Sequence, residues 1–227
     1  MTGTSTRNKA ARHRASPRPK IALLYFVKYP EPGMVKTRLA KSIGPIKAAQ
    51  LYRRLAETNY QVILEEKILD RIIVYDPPEK EKDIKKWLAG ARTYLPQEGQ
   101  GLGERLAAAF GWAFAQGYER VMALGSDLLG LPYQNLFDGI ASLQKTNVVI
   151  GPATDGGYYL IGMDQFYAGL FQDIPWSTPQ VFAETLRRIK SQGLSFYQLG
   201  SLDDLDDISS LHRAKHEMGK GVYHEPF

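Results

Sequence analysis

The chain has 227 residues, of which 44% are hydrophobic and 11% aromatic, enough to build one sizeable apolar core. It contains no cysteine, which excludes disulfides, thiolate metal sites and cysteine nucleophiles. The apolar run over residues 21–27 ends at Lys28 and is too short to cross a bilayer or to act as a secretory signal. We therefore expect a cytoplasmic protein without a membrane span.

The formal net charge of +5 comes from the first 20 residues, which hold six basic and no acidic side chains. The rest of the chain is close to neutral. Because this segment is rich in Ser, Thr, Pro and Arg, it predicts a disordered basic tail over residues 1–19. A single domain over residues 20–227 follows it. A nucleic-acid arm is the weaker interpretation of the tail, and nucleic acid is not expected as a partner.

Short β-rich runs alternate with helical stretches along the chain, which predicts an α/β fold. Most of these runs are continuously apolar, as expected for strands that are buried on both faces. The predicted strands are residues 21–27, 71–75, 120–124, 147–150, 158–163 and 195–199.

Between the strands, apolar residues recur at spacings of three and four, which indicates amphipathic helices. The first such stripe covers residues 46–63, with Pro45 in its first turn. Two further stripes cover residues 106–113 and 181–189. Ser177, followed three residues later by a glutamine, predicts a capping box at the start of the last helix.

In YFVKYPEPGMVKTRLAK, residues 25–41, two prolines and Gly33 shape a tight loop before Lys36 and Arg38. Both cations lie at the start of a predicted helix, where N–H groups and arginines bind phosphate. The alternative is a proline turn with Thr37 as the N-cap and two solvated cations. The loop lacks the Gly-Lys-Ser/Thr ending of a Walker A motif.

Two further carboxylates follow predicted strands, where α/β sheets bind their ligands. In VMALGSDLLG, Asp127 is suited to hold Mg²⁺ shared with substrate phosphates, or it caps a turn. In GPATDGGYYLIG, the Asp-Gly step predicts a β-hairpin, which is a complete structural explanation. Alternatively, Gly156 and Gly157 let a substrate approach the backbone, and Asp155 accepts a proton from an attacking hydroxyl.

Weaker candidates lie further along the chain. Arg105, in the first turn of a predicted helix, could reach a ligand, and Trp176 either stacks on a base or sugar or packs in the interior. The acidic segment SLDDLDDISSL either completes a metal site or caps a helix, and capping is the favoured role for most of its acids. These acids are Asp203, Asp204, Asp206 and Asp207.

Six segments together resemble a bacterial family of GT-A-type nucleotide-diphospho-sugar transferases, whose members are often labelled arsenosugar-biosynthesis glycosyltransferases. They are FVKYPEPGMVKTRLA, GLGERLAAAF, LGSD, GPATDGGYYLIG, IPWST and the acidic segment. The resemblance covers residues 21–211. It implies a Rossmann-like mixed, mostly parallel sheet with helices on both faces, and the nucleotide over the carboxyl ends of the strands. Guanylyltransferases acting on phospholactate and on molybdenum cofactor have related folds.

By this resemblance, Asp127 and Asp155 serve catalysis. Asp127 and Asp203 hold Mg²⁺ or Mn²⁺, with Asp204 in place of Asp203 if the register shifts by one residue. The expected partners are a nucleotide-sugar or a nucleoside triphosphate, together with a small-molecule acceptor. The residues expected to contact substrate are Lys28, Gly33, Lys36, Arg38, Arg105, Gly156, Gly157, Tyr158 and Trp176.

The chain departs from the family pattern at several positions. Leu128 and Leu129 replace a Cys-Pro pair, Gly101 replaces an acid, and Ser201 replaces the first acid of Asp-x-Asp-Thr. Three functions are therefore weighed: metal-dependent glycosyl transfer, nucleotidyl transfer to a phosphorylated small molecule, and nucleotide binding without catalysis.

Overall fold

The computed structural model describes residues 20–212; the predicted basic tail over 1–19 and the last residues, 213–227, lie outside the described part. Seven strands form one sheet in the order β3-β2-β1-β4-β6-β5-β7. Their ranges are β1 (Ile21–Lys28), β2 (Leu69–Asp76), β3 (Thr93–Pro96), β4 (Arg120–Gly125), β5 (Val148–Pro152), β6 (Tyr158–Met163) and β7 (Phe196–Gln198). Strand β6 runs antiparallel to β4 and β5, and the other neighbours are parallel. The mixed, mostly parallel sheet predicted from the sequence is confirmed.

Helices cover both faces of the sheet. They are α1 (Thr37–Ile43), α2 (Pro45–Glu65), α3 (Glu81–Trp87), α4 (Leu102–Ala115), α5 (Tyr133–Ser142) and α6 (Val181–Ser191). Within residues 20–212, no helix is long and apolar enough to cross a membrane.

The sheet separates two apolar clusters because successive side chains of a strand point to opposite faces. Leu23 packs in a cluster with residues of α2, α3 and α5, whereas Leu24 packs in a cluster with α4 and α6. These two layers fix the sheet from both sides. The ends of the strands stay free to carry functional side chains.

All six predicted strands are present, and their ends agree with the structure to within two residues. The sequence did not predict β3, α3 or α5. Strand β3 has four residues, none of them fully buried, and ends at Pro96 on the edge of the sheet. A strand this short has too few residues to show the alternation of apolar and polar side chains from which strands are predicted.

Two predicted helix caps are wrong. Helix α1 begins at Thr37, and its N-cap position is occupied by Lys36, which has left-handed backbone angles (φ 47°, ψ 45°) and makes no side-chain cap. Helix α6 begins at Val181 with Gln180 at its N-cap position. Ser177 lies in a preceding turn at φ 63° instead of capping the helix.

Asn59 of α2 is completely buried and holds the loop that follows β4. Its side-chain amide donates a hydrogen bond to the Leu128 carbonyl (3.0 Å), and its Oδ1 accepts one from the Leu131 N–H (2.9 Å). We expect Asn59→Ala to lower the free energy of unfolding by about 2 to 4 kcal/mol, because a buried donor and a buried acceptor lose their partners. Urea denaturation measures this change.

The matched control is Gln134→Ala on α5, which removes one exposed hydrogen bond to Asp138 (2.7 Å). Its free energy of unfolding should change by less than about 0.5 kcal/mol. An equal loss in both variants would show that Asn59 does not stabilise the loop through these two bonds.

Candidate functional site

A cavity of about 740 Å³ opens where β1 and β4 end and β6 begins. Its size is that of a small-ligand site. Eight of the residues predicted from the sequence line it, namely Lys28, Lys36, Arg38, Asp127, Asp155, Gly157, Tyr158 and Trp176. The strand ends therefore bring together predicted residues from four distant segments of the chain.

Four predicted residues lie outside the set that lines the cavity: Gly33, Arg105, Gly156 and Asp203. Gly33 has φ +85° and no neighbouring atom near the position of a Cβ, so its role is to provide the turn that a side chain would disfavour.

The most buried charge at this site is the Lys36 ammonium, whose side chain is 4% exposed. Its Nζ lies 2.9 Å from Asp127 Oδ2 and 3.1 Å from Asp206 Oδ1. The Arg38 guanidinium, on a side chain that is 72% exposed, contacts the other Asp206 oxygen at 3.3 Å. One lysine thus joins the loop after β1, the end of β4 and the acidic segment.

The protonation states of this pair follow from its geometry. Burial lowers the pKa of Lys36, but the carboxylates of Asp127 and Asp206 outweigh burial and raise the pKa above its ordinary value. The Lys36 charge in turn lowers the pKa of Asp127 against the opposing effect of burial. Both groups are charged at neutral pH.

Two residues that line the cavity have strained backbones. Lys36 (φ 47°) and Ser177 (φ 63°) both have backbone angles in the left-handed region, which residues other than Gly and Asn rarely adopt. Such strain persists where surrounding contacts hold it, and it concentrates at functional sites.

The acidic segment is fixed by backbone pairing with the loop after β4. The Leu129 N–H donates to the Asp203 carbonyl (3.2 Å), and the Leu205 N–H donates to the Asp127 carbonyl (3.2 Å). Leu128 and Leu129, which replace the family's Cys-Pro pair, are both buried in the core. The two leucines therefore anchor the loop that carries Asp127.

This pairing decides which acid enters the cavity. Asp204 lines it, whereas the Asp203 carboxylate accepts a hydrogen bond from the Thr154 hydroxyl (2.5 Å) and is not among the lining residues. Burial and the nearby carboxylates of Asp155 and Asp127 raise the pKa of Asp204 to about 6. Like charges are held together here at a cost in stability.

Capping as the role of most acids in this segment is wrong. Asp207 does cap the helical residues 208–212, because its Oδ1 accepts the Ser210 N–H at 2.8 Å. Asp206 pairs with Lys36, and Asp203 and Asp204 have the contacts described above.

The carboxylates of the cavity fit a divalent cation that is shared with a ligand. In the described part of the chain, no three His, Cys, Asp or Glu side chains are arranged as a metal site. Asp127, Asp155 and Asp204 nevertheless line the same cavity, and a cation bound among them would relieve the repulsion that raises the pKa of Asp204. Mg²⁺ commonly binds one or two carboxylates and completes its coordination with substrate phosphates and water.

The predicted hairpin around Asp155 is confirmed, since β5 and β6 are antiparallel neighbours joined by residues 153–157. Asp155 Oδ1 accepts the Gly157 N–H at 2.8 Å, which closes the turn. Asp155 also lines the cavity. Asp155 therefore closes the turn and is also exposed to the cavity, so the two interpretations of this residue are compatible.

Gly103 and Gly156 both accommodate the loop over residues 175–180, which forms one wall of the cavity. A Cβ on Gly103 would overlap the Trp176 indole and lie 2.8 Å from the Phe171 carbonyl. Gly156 has φ +90°, and a Cβ there would overlap the Pro179 carbonyl. Gly156 is thus needed for packing, and it is not among the residues that line the cavity. Trp176 lines the cavity and also packs edge-on against Tyr158 at 6.2 Å.

Arg105 acts behind the cavity wall. Its guanidinium donates to Gln97 Oε1 (3.0 Å) and to the Gly99 carbonyl (3.1 Å). Gln97 lines the cavity, and its amide donates to the carbonyls of Val27 and Val74 at the ends of β1 and β2. Arg105 therefore positions a residue of the wall.

Sequence reasoning missed Gln97, Tyr52 and Ser126, all of which line the cavity. The buried Tyr52 hydroxyl hydrogen-bonds Ser126 Oγ (2.8 Å) and accepts the Lys28 N–H (2.8 Å). Burial raises the pKa of Tyr52 to about 12, so the hydroxyl is neutral. The position of Ser126 directly before Asp127 was the available signal, whereas Tyr52 was hidden in an apolar helical stripe.

Gly103→Ala should lower the free energy of unfolding by about 1 to 3 kcal/mol, because the added methyl group displaces Trp176. Urea denaturation measures the loss, and tryptophan emission reports the displacement. The control is Gly111→Ala on the same helix, where the new Cβ meets its nearest neighbour at 3.5 Å. That change should be neutral or stabilising by up to about 1 kcal/mol. Equal effects would contradict the packing role of Gly103.

Asp204→Asn should raise the free energy of unfolding at pH 7 by about 1 to 3 kcal/mol, measured with EDTA present. The pKa of Asp204 is raised in the folded protein, so stability is lost as the pH rises from about 4 to about 6 and Asp204 ionises. The gain should therefore disappear at pH 4. Asp203→Asn is the control, and a similar pH-dependent gain there would contradict the prediction.

Comparison with known proteins shows the family to which this chain belongs. The family model described as uncharacterized protein conserved in bacteria (DUF2064) matches residues 59–178, more than half of the chain. A search of curated proteins finds no match. A protein from Desulfovibrio desulfuricans G20, proposed to be a nucleotide-diphospho-sugar transferase, is 38% identical with a TM-score of 0.80, over 85% of each chain.

More distant structures share the fold alone. A 4-diphosphocytidyl-2C-methyl-D-erythritol synthase from Anaerococcus prevotii DSM 20548 is 12% identical with a TM-score of 0.61, over 88% of this chain and 96% of that one. A nucleotidyl transferase from Methanothermobacter is 14% identical with a TM-score of 0.60, over 89% and 99%. The chain therefore belongs to the bacterial DUF2064 family and has the α/β fold of nucleotide-diphospho-sugar transferases and nucleotidyl transferases.

Proposed function

We propose that this protein is a nucleotide-binding transferase that moves a glycosyl group from a nucleotide-activated sugar to a small-molecule acceptor. The observation that carries the proposal is the cavity at the ends of β1 and β4, where Lys36 contacts Asp127. Three further carboxylates line the same cavity, those of Asp155, Asp204 and Asp206. The 38% identical Desulfovibrio protein, proposed to be a nucleotide-diphospho-sugar transferase, supports the same class. The narrower arsenosugar-type assignment stays a prediction.

The cations of the cavity are suited to a diphosphate. Lys28, Lys36 and Arg38 all line it. The Arg38 guanidinium offers paired donors to phosphate oxygens, and each lysine adds a point charge. Preorganised positive charge stabilises a diphosphate most when it departs with an additional negative charge.

Asp127 and Asp204 would hold the Mg²⁺ or Mn²⁺. Asp204 takes the place of the predicted ligand Asp203, because Asp204 lines the cavity and Asp203 contacts Thr154. When bound, such an ion supplies Lewis-acid neutralisation of the leaving diphosphate.

In the proposed transfer, an acceptor hydroxyl attacks the anomeric carbon and forms the new glycosidic bond. The bond from that carbon to the diphosphate oxygen breaks, and its electron pair leaves with the diphosphate. The acceptor proton passes to the Asp155 carboxylate, which the Gly157 N–H orients at 2.8 Å. Trp176 and Tyr158 form the wall beside this acid and line the space for the sugar and the acceptor.

Nucleotidyl transfer is the second candidate, because three cations lining one cavity also suit a triphosphate. A phosphorylated acceptor would then attack the α-phosphate, and pyrophosphate would leave. The two reactions differ in their products, a nucleoside diphosphate in one and pyrophosphate in the other. A protein that binds nucleotides without catalysis would release neither.

We expect a nucleoside diphosphate or nucleotide sugar with Mn²⁺ to stabilise the wild type by roughly 2.7 kcal/mol at a hundredfold excess over its dissociation constant. Lys36→Ala should weaken this binding by about tenfold or more, because a buried counter-charge to phosphate is lost. Thermal-shift titration measures both effects. Lys41→Ala, on the helix α1 that follows Lys36 but exposed and outside the cavity lining, should bind like the wild type.

The absence of a thermal shift with every nucleoside di- and triphosphate and nucleotide sugar would refute the proposal. Phosphorus NMR of the same mixtures then identifies the reaction. Nucleoside diphosphate released from a nucleotide sugar indicates glycosyl transfer, and pyrophosphate released from a triphosphate indicates nucleotidyl transfer. Unchanged nucleotides despite binding would favour the non-catalytic interpretation, as would equal binding by wild type and Asp127→Asn with and without Mn²⁺.

A further inference from the structure

The Lys36 ammonium lies where it competes directly with a cation. It is 2.9 Å from an oxygen of Asp127, a carboxylate that the proposed function assigns to the divalent ion. The Lys36 side chain is 4% exposed, whereas that of Asp127 is 41% exposed and accessible from the cavity. An ion approaching Asp127 therefore meets a fixed positive charge only a few ångströms away.

This ammonium opposes cation binding in two ways. It repels a divalent ion across a partly buried space, where charges are poorly screened. It also donates a hydrogen bond to Asp127 Oδ2, so that oxygen is already engaged. Asp127 thus has a partner inside the protein before any ligand arrives.

The surroundings of Lys36 allow the ammonium to leave without stranding a charge. Asp206, the second partner of Lys36 at 3.1 Å, is also contacted by Arg38 at 3.3 Å. Asp206 therefore keeps a cation when Lys36 moves. The left-handed backbone of Lys36 is a strained conformation, and the contacts with Asp127 and Asp206 help to hold it.

We propose that Lys36 is an internal counter-ion that blocks the divalent cation from Asp127 until the phosphates of a nucleotide draw the ammonium away. The inference rests on the proposed function and adds an order to it: the metal enters with the nucleotide or after it. A phosphate then takes the Lys36 charge, and Asp127 becomes available to the ion.

The test is the affinity for Mn²⁺ alone, measured by the loss of the free Mn²⁺ signal in electron paramagnetic resonance. Lys36→Met and Lys36→Asn should each bind Mn²⁺ at least about tenfold more tightly than the wild type, because the competing charge is gone. Asparagine tolerates left-handed backbone, so Lys36→Asn keeps the test available if Lys36→Met does not fold. Urea denaturation confirms that each variant is folded.

Arg38→Met and Lys41→Met are the matched controls. Arg38 contacts Asp206 through an exposed side chain, and Lys41 lies outside the cavity lining. Each control should change the Mn²⁺ affinity by less than about threefold. Unchanged or weaker Mn²⁺ binding by a folded Lys36 variant would overturn the proposal, as would an equal gain in Arg38→Met. Because no nucleotide is present, this failure is distinct from a failure of the proposed function, which shows as an absent nucleotide shift.

Discussion

The contact between Lys36 and two carboxylates holds together the parts of the chain that form the cavity. Asp127 is 91 residues from Lys36 along the chain, and Asp206 is 170 residues away. A buried ammonium without a counter-charge costs several kcal/mol, so the three segments are stable only together. The tertiary structure of this edge of the sheet and the charge pattern of the cavity therefore have the same origin.

Around this contact, the chain departs from several local rules. Lys36 and Ser177 have left-handed backbones without being glycine, and Asp204 is pressed against other acids so that its pKa rises to about 6. Local rules tend to fail at functional or strained sites, and these departures add to the other features of the cavity.

The sequence allowed the sheet and most of the cavity to be predicted. Apolar runs indicate the strands, and ligands of α/β sheets bind near the ends of those strands. It could not distinguish Asp203 from Asp204, since a one-residue shift in pairing with the loop after β4 exchanges the side chains that face the cavity. Asn59 and Tyr52 lie on the buried side of α2, where their polar contacts look like ordinary packing until the neighbouring loops are placed. The metal and catalytic roles remain proposals.

Two of the motifs that carry the family resemblance, GLGERLAAAF and IPWST, touch each other through Gly103 and Trp176. The glycine is needed because the indole occupies the space of its missing side chain. A larger residue at position 103 would leave no room for tryptophan at position 176, so packing couples the two positions. Because Trp176 lines the cavity, the missing side chain of Gly103 behind it also sets where that wall of the cavity lies.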